Sequence, residues 1–150
     1  MIEGLTIREG AAGDLNYVLS SWLRNYRTSI KTRGIESEVY YDQQHGHHAA
    51  IVAALQRANV LCAGVEPGQV LGWVCYEQPN IVHYIHIKYD FQRLGVARAL
   101  LAAAGLRAPL VVTHWHSACD RATVRGDKLL YNPYLFFRGL HAASKNTGHE

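Results

Sequence analysis

Two groups of residues in this 150-residue chain are of types that do chemistry. The first is Gln92-Arg93-Leu94-Gly95-Val96-Ala97-Arg98, a glycine-bearing loop that runs into Ala99, Leu100 and Ala103 at helical spacing. The free backbone N–H groups of such a helix start lie at the positive end of its macrodipole and receive phosphate oxygens. The second group is histidine, nine in all, with His83 and His86 in one apolar run and His114 and His116 in another. An ordinary imidazole, with a pKa of ~6.5, gives and takes protons near neutral pH.

Several chemistries are excluded by the residues themselves. A P-loop needs Gly-Lys-Ser/Thr where this chain has Gly95-Val96-Ala97, and a dinucleotide-binding fingerprint needs three spaced glycines where only Gly95 is present. His45-Gly46-His47-His48 and His114-Trp115-His116 lack a companion set of cysteines or carboxylates at zinc spacing, so no metal site is expected. Cys62, Cys75 and Cys119 are odd in number and far apart, which suits reduced thiols and a cytoplasmic setting.

The elements that must position these groups follow from periodicity. Hydrophobic residues make up 49% of the chain and charged ones 18%, which excludes a disordered tail and fits one core, so residues 1–150 are read as a single domain. Leu5-Thr6-Ile7-Arg8 opens as a strand, and Leu15, Val18, Leu19, Trp22, Leu23 and Tyr26 then recur at helical spacing behind Gly13-Asp14. A second helical stretch starts near Ile35, with Gly46 an expected interruption, giving two helices or one bent one. Val60–Val65 and Val70–Tyr76 flank Glu66-Pro67-Gly68-Gln69, which suits a type II turn and so a β-hairpin. Ile81–Lys88 gives a third strand, Gly105 a stop for the helix after the loop, and Leu110–His116 a further strand. Three sequential strands form an antiparallel meander and strand–helix–strand a parallel crossover, so a mixed sheet flanked by helices, an α+β fold, is expected. No apolar run reaches membrane-spanning length, and Met1 opens no signal peptide.

Gln92, Arg93, Gly95 and Ala97, between that strand and that helix, resemble the Q/R-x-x-G-x-G/A loop of the GNAT superfamily of acetyl-CoA-dependent N-acetyltransferases. The resemblance spans about residues 5–116; Ala97 stands where glycine is commoner. It implies the GNAT fold, acetyl-CoA as cofactor, and a pyrophosphate cradle formed by Gln92, Arg93, Leu94, Gly95, Val96, Ala97 and Arg98. It implies also that the backbone of Ile85, His86 and Ile87 pairs with the pantetheine arm as a neighbouring strand would.

Acetyl transfer needs a neutral amine, and a lysine-like amine with a pKa of ~10.4 must first lose a proton. A period of two puts Ile81, His83, Ile85 and Ile87 on one face of their strand and Tyr84, His86 and Lys88 on the other. His83 matches the place where some small-amine acetyltransferases of the superfamily carry a basic histidine, which makes it the candidate base. His86 is expected beneath a helix and His114 beside the cofactor cleft. For the proton donor the superfamily uses a tyrosine after the fifth strand; here the region departs from the pattern, leaving Tyr131, with Tyr134 in reserve. The early helices are where the resemblance implies acceptor recognition, and Arg24, Arg27, Lys31 and Arg33 there alternate with Tyr26, Tyr40 and Tyr41. The net charge of +3 does not call for a polyanion, and the resemblance implies a primary amine as the acceptor. A nucleobase or nucleic-acid acceptor and a non-catalytic acyl-CoA-binding module are the alternatives.

Overall fold

A computed structural model describes residues 2–27 and 34–137, the side chains at 40–42 and 45 excepted. Lys31 and Arg33, and the side chains of Tyr40 and Tyr41, lie outside the described residues. The elements run β1 (Thr6–Glu9), α1 (Leu15–Arg27), α2 (Ser37–Arg57), β2 (Asn59–Gly64), β3 (Gly72–Glu77), β4 (Ile81–Ile87), α3 (Val96–Ala104), β5 (Leu110–Val112), α4 (Ser117–Val124) and β6 (Leu129–Tyr131). They build one six-stranded sheet in chain order, antiparallel from β1 to β4 and parallel from β4 to β6.

Local signals explain much of this. The β2–β3 turn closes with Gln69 N–H donating to the Glu66 carbonyl at 3.1 Å, and Gly68 takes φ +76°, the left-handed position that a type II turn demands. Gly105, at φ +66°, ends α3 as a left-handed cap. At the start of α1 the carboxylate of Asp14 turns back, accepting from Ala11 N–H at 2.8 Å and from Arg8 at 2.6 and 3.0 Å. That grip ties β1 to the first helix.

Three expectations are corrected. Gly46 does not interrupt α2, which is continuous over Ser37–Arg57 because enough good helix formers flank one exposed glycine. The strand expected to reach His116 stops at Val112, because its partner β4 diverges from it. Asn132-Pro133 signals a turn, so Tyr131 is expected at the end of a helix; it lies instead in the short edge strand β6.

The sheet has two packed faces. On one, Val18 and Trp22 of α1 and Ala50, Ile51 and Ala54 of α2 cover Cys62, Trp73, Cys75 and Tyr84, with Phe136 closing the edge. On the other, Val96, Leu100 and Ala104 of α3 cover Ala63, Val74, Val82 and Val112. Burying side chains of this size stabilises by roughly 1.5–3 kcal/mol each, which fixes the helices against the strands. Trp73 Nε1–H donates to Ser21 Oγ at 2.9 Å, so even the indole buried deepest in the sheet keeps a polar partner.

Candidate functional site

The site begins with an irregularity in β4. Cys75 pairs with Tyr84, but Tyr76 pairs with Val82, so His83 is the extra residue where the register shifts. Such a bulge breaks the period of two. Val82 therefore packs beneath α3 with Ile85 and Ile87, while Tyr84 packs beneath α1 and α2. The expected grouping of His83 with Ile85 and Ile87 is thus corrected: the His83 ring sits 5.8 Å from that of Phe136, on the α2 side.

The bulge stands where the sheet forks. β4 and β5 share only the pairs Ile81–Val111 and Val82–Val112, with Thr113 N–H donating to the Val82 carbonyl at 3.2 Å as the last rung. Beyond it the β5-facing edge of Ile85, His86 and Ile87 has no strand beside it among the described residues. An extended chain could add there by main-chain hydrogen bonds.

That open edge leads to the loop before α3. Gln92 Nε2–H donates to the Ile87 carbonyl at 3.2 Å, tying the loop to the strand end. Arg93 takes φ +64° and Gly95 φ +86°, two left-handed residues two apart. Backbone in this conformation forms a concave nest of N–H groups. No side chain caps α3, and its first intrahelical bond is Ala99 N–H to the Gly95 carbonyl at 3.0 Å, which leaves the amides of Val96, Ala97 and Arg98 without helical partners. A Cβ on Gly95 would meet nothing within 4 Å, so there is room above the nest. Arg93, Leu94 and Arg98 are exposed around it. These residues fit an anionic cofactor of the acyl-CoA kind.

At the crotch of the fork, polar side chains are connected in a line. Glu77 Oε2 lies 2.6 Å from His83 Nε2, and His83 Nδ1 lies 3.0 Å from Thr113 Oγ1. Thr113 Oγ1 is 3.1 Å from His114 Nδ1, and His114 Nε2 is 3.3 Å from His47 Nε2. Arg57 Nε stands 3.7 Å from the same Glu77 oxygen, and Arg57 also donates to the Phe136 carbonyl at 2.7 Å. His83 is fully buried and His114 nearly so. Burial pushes His47 down to about 4 and His114 well below its ordinary value, since the positive form loses its hydration.

Aromatic rings close around that line. Tyr26 lies 5.2 Å from the His47 ring and 5.0 Å from His114, and Trp22 packs edge-on to His114 at 5.3 Å. Tyr26, expected on a basic acceptor rim, points inward instead because α1 buries its apolar stripe; Arg24 stays exposed. His86 lies beneath α1 as expected, with Nε2 3.4 Å from the Tyr17 hydroxyl, and burial pushes it down to about 4.

Neither tyrosine is buried with His83. Tyr131 is 46% exposed and lies 6.0 Å from Trp115, on the α3 side with Leu129, and Tyr134 is more exposed still. Sequence reasoning missed Glu77, Thr113 and His47. The polar residue ending an otherwise apolar β3 was a readable signal for Glu77; nothing in the spacing pointed to the others. Among the described residues no group of three or more histidines, cysteines or carboxylates could hold a metal, and no helix is long and apolar enough to cross a membrane.

No family profile and no curated protein matches the sequence significantly. Solved structures do match. A Rhodopseudomonas palustris protein described as a GCN5-related N-acetyltransferase and as a class-II aminotransferase superposes with a TM-score of 0.53 at 14% identity, over 84% of this chain and 70% of that one. A provisionally assigned acetyl transferase from Pyrococcus furiosus gives 0.52 at 17% identity, over 85% and 81%. The apo form of YjaB from Escherichia coli gives 0.50 at 18% identity, over 69% and 65%. By these superpositions, with its six-stranded mixed sheet flanked by helices, the chain has the GNAT fold.

Proposed function

We propose that this protein is an acetyl-CoA-dependent N-acetyltransferase that moves an acetyl group to a primary amine by direct attack. The observation that carries the reading is the conjunction of the β4 edge at Ile85, His86 and Ile87, which has no strand beside it among the described residues, with the uncapped, nest-forming loop at α3, joined by the Gln92–Ile87 bond. When bound, acetyl-CoA supplies the thioester carbonyl that an amine attacks. The amides of Val96, Ala97 and Arg98, with the side chains of Arg93 and Arg98, hold the pyrophosphate. The edge of Ile85, His86 and Ile87 would align the pantetheine arm.

His83 is assigned the base role, and its burial means that it takes the amine proton through neighbouring groups. Tyr131 is the candidate donor to the departing thiolate. A thiol with a pKa of ~8.5 leaves tolerably without help, so Tyr131→Phe should cost less than His83→Ala.

Thermal unfolding with added acetyl-CoA tests the reading. A ligand of the native state at a hundredfold excess over Kd stabilises by about 2.7 kcal/mol, which a melting curve resolves. Absence of any shift overturns it. A shift with no thiol release across a panel of primary amines replaces it with the non-catalytic acyl-CoA-binding module.

A further inference from the structure

The line Glu77–His83–Thr113–His114–His47 has a direction. A carboxylate only accepts, so His83 must present Nε2–H to Glu77. A neutral His83 is then bare at Nδ1 and takes the single hydroxyl proton of Thr113. Thr113 Oγ in turn accepts from His114 Nδ1–H, which leaves His114 Nε2 bare to accept from His47 Nε2–H. With three neutral rings and an ionised Glu77, this arrangement satisfies the four side-chain contacts of the line with each donor pointing the same way; the His83 carbonyl, 3.3 Å from Thr113 Oγ1, is the longer-range competitor for the same hydroxyl proton. His47 Nδ1 is left as the acceptor at the far end.

We propose that these five side chains are a proton relay, entered at His47 Nδ1 and discharged at Glu77, which removes the proton that an amine releases on acylation. The relay rests on the acetyltransferase reading for the source of its proton. The amine N–H bond breaks and an N–H bond forms at His47 Nδ1. Protons then shift from His47 Nε2 to His114 Nε2, from His114 Nδ1 to Thr113 Oγ, from Thr113 Oγ to His83 Nδ1, and from His83 Nε2 to Glu77 Oε2. The rings end neutral in the opposite tautomers and Glu77 ends as a carboxylic acid, so no unpaired cation remains in the buried fork.

The surroundings suit that route. Burial makes His47 and His114 weak holders of a proton, which favours passing it on. The Glu77 side chain is 19% exposed, and water there can take the proton away. The titratable groups around His114 are His47 and Tyr26 from the helices, His83 and Tyr84 from β4, and His116 beyond β5; Arg57 of α2 faces Glu77. Thr113 is the one non-ionisable member, so it can be altered without changing charge.

The test is nitrogen-15 NMR of the histidine rings in the whole protein, for the wild type, Thr113→Val and Thr113→Ser. Expected in the wild type and Thr113→Ser are Nε2–H at His83, Nδ1–H at His114 and Nε2–H at His47, with one acid titration step appearing together at His47 and His83. In Thr113→Val, His114 should turn to Nε2–H, His47 to Nδ1–H, and the shared step should split. Thiol release should fall at least about tenfold in Thr113→Val at unchanged acetyl-CoA Kd, with most of it restored in Thr113→Ser. Nε2–H at His114 in the wild type, a titration indifferent to Thr113→Val, or undiminished turnover overturns the relay. Loss of acetyl-CoA binding with the tautomer pattern and shared step intact overturns the acetyltransferase reading instead and leaves the proton path standing.

Discussion

Tyr84 stacks on His116 across the mouth of the fork, ring centroids 4.4 Å apart and planes 28° from parallel. One ring comes from β4 and the other from the segment after β5, so the stack spans the gap that the strands leave. Burial pushes His116 down to about 4, as it does His47 and His86, and holds His114 well below its ordinary value. A histidine depressed on folding contributes stability above its unfolded pKa of ~6.5, and that contribution is lost as pH falls toward its folded value. Stability should therefore be flat above about pH 7 and fall between about 6.5 and 4, with up to about 1.4 kcal/mol per pH unit for each histidine titrating. Urea midpoints across that range check it; a flat profile down to pH 4 would contradict the burial of these rings.

His83→Ala should destabilise by about 3 kcal/mol, because it opens a cavity and strips partners from Glu77 and Thr113 inside the core. Measured well below its melting temperature, the variant should bind acetyl-CoA with little change and release thiol far more slowly. Undiminished turnover would remove His83 from the proton path.

Gly46→Ala should stabilise by about 0.5–1 kcal/mol, since Gly46 lies exposed within a continuous helix and a Cβ there meets nothing within 4 Å. The coenzyme site is distant in the chain, so Kd for acetyl-CoA should not move. A lower urea midpoint would mean that α2 is broken at Gly46.

Gly95→Ala should cost about 1–2 kcal/mol, the penalty of a side chain at φ +86° with no clash to add to it. Acetyl-CoA affinity should weaken by about tenfold or more, because the Cβ rises into the space above the nest. Full affinity in this variant would place the pyrophosphate elsewhere.

Arg93→Ala and Arg98→Ala should each weaken acetyl-CoA binding a few-fold at low salt and less at high salt, as exposed charges are screened. Isothermal titration at two ionic strengths separates this from a structural effect, which salt would not reduce.

The order of elements from β1 to β5, the type II hairpin turn with Gly68, the α3 loop and the cap at Gly105 were legible in the sequence because each depends on residues within a few positions of one another. Hydrophobic period and turn chemistry act at that range. The face that His83 occupies was not legible, since a single extra residue in β4 moves it and only the register against β3 reveals that residue. Nor were its partners. Thr113 is 30 residues from His83, and His47 is 67 from His114. They meet because α2 packs on the sheet while β4 and β5 part at Val82. The sequence by itself determined a helix start able to receive an anion and a strand carrying a histidine. Only the tertiary structure decided that His83 is sealed from solvent and linked through Thr113 to His114 and His47, because register and packing, unlike propensity, are properties of the whole chain.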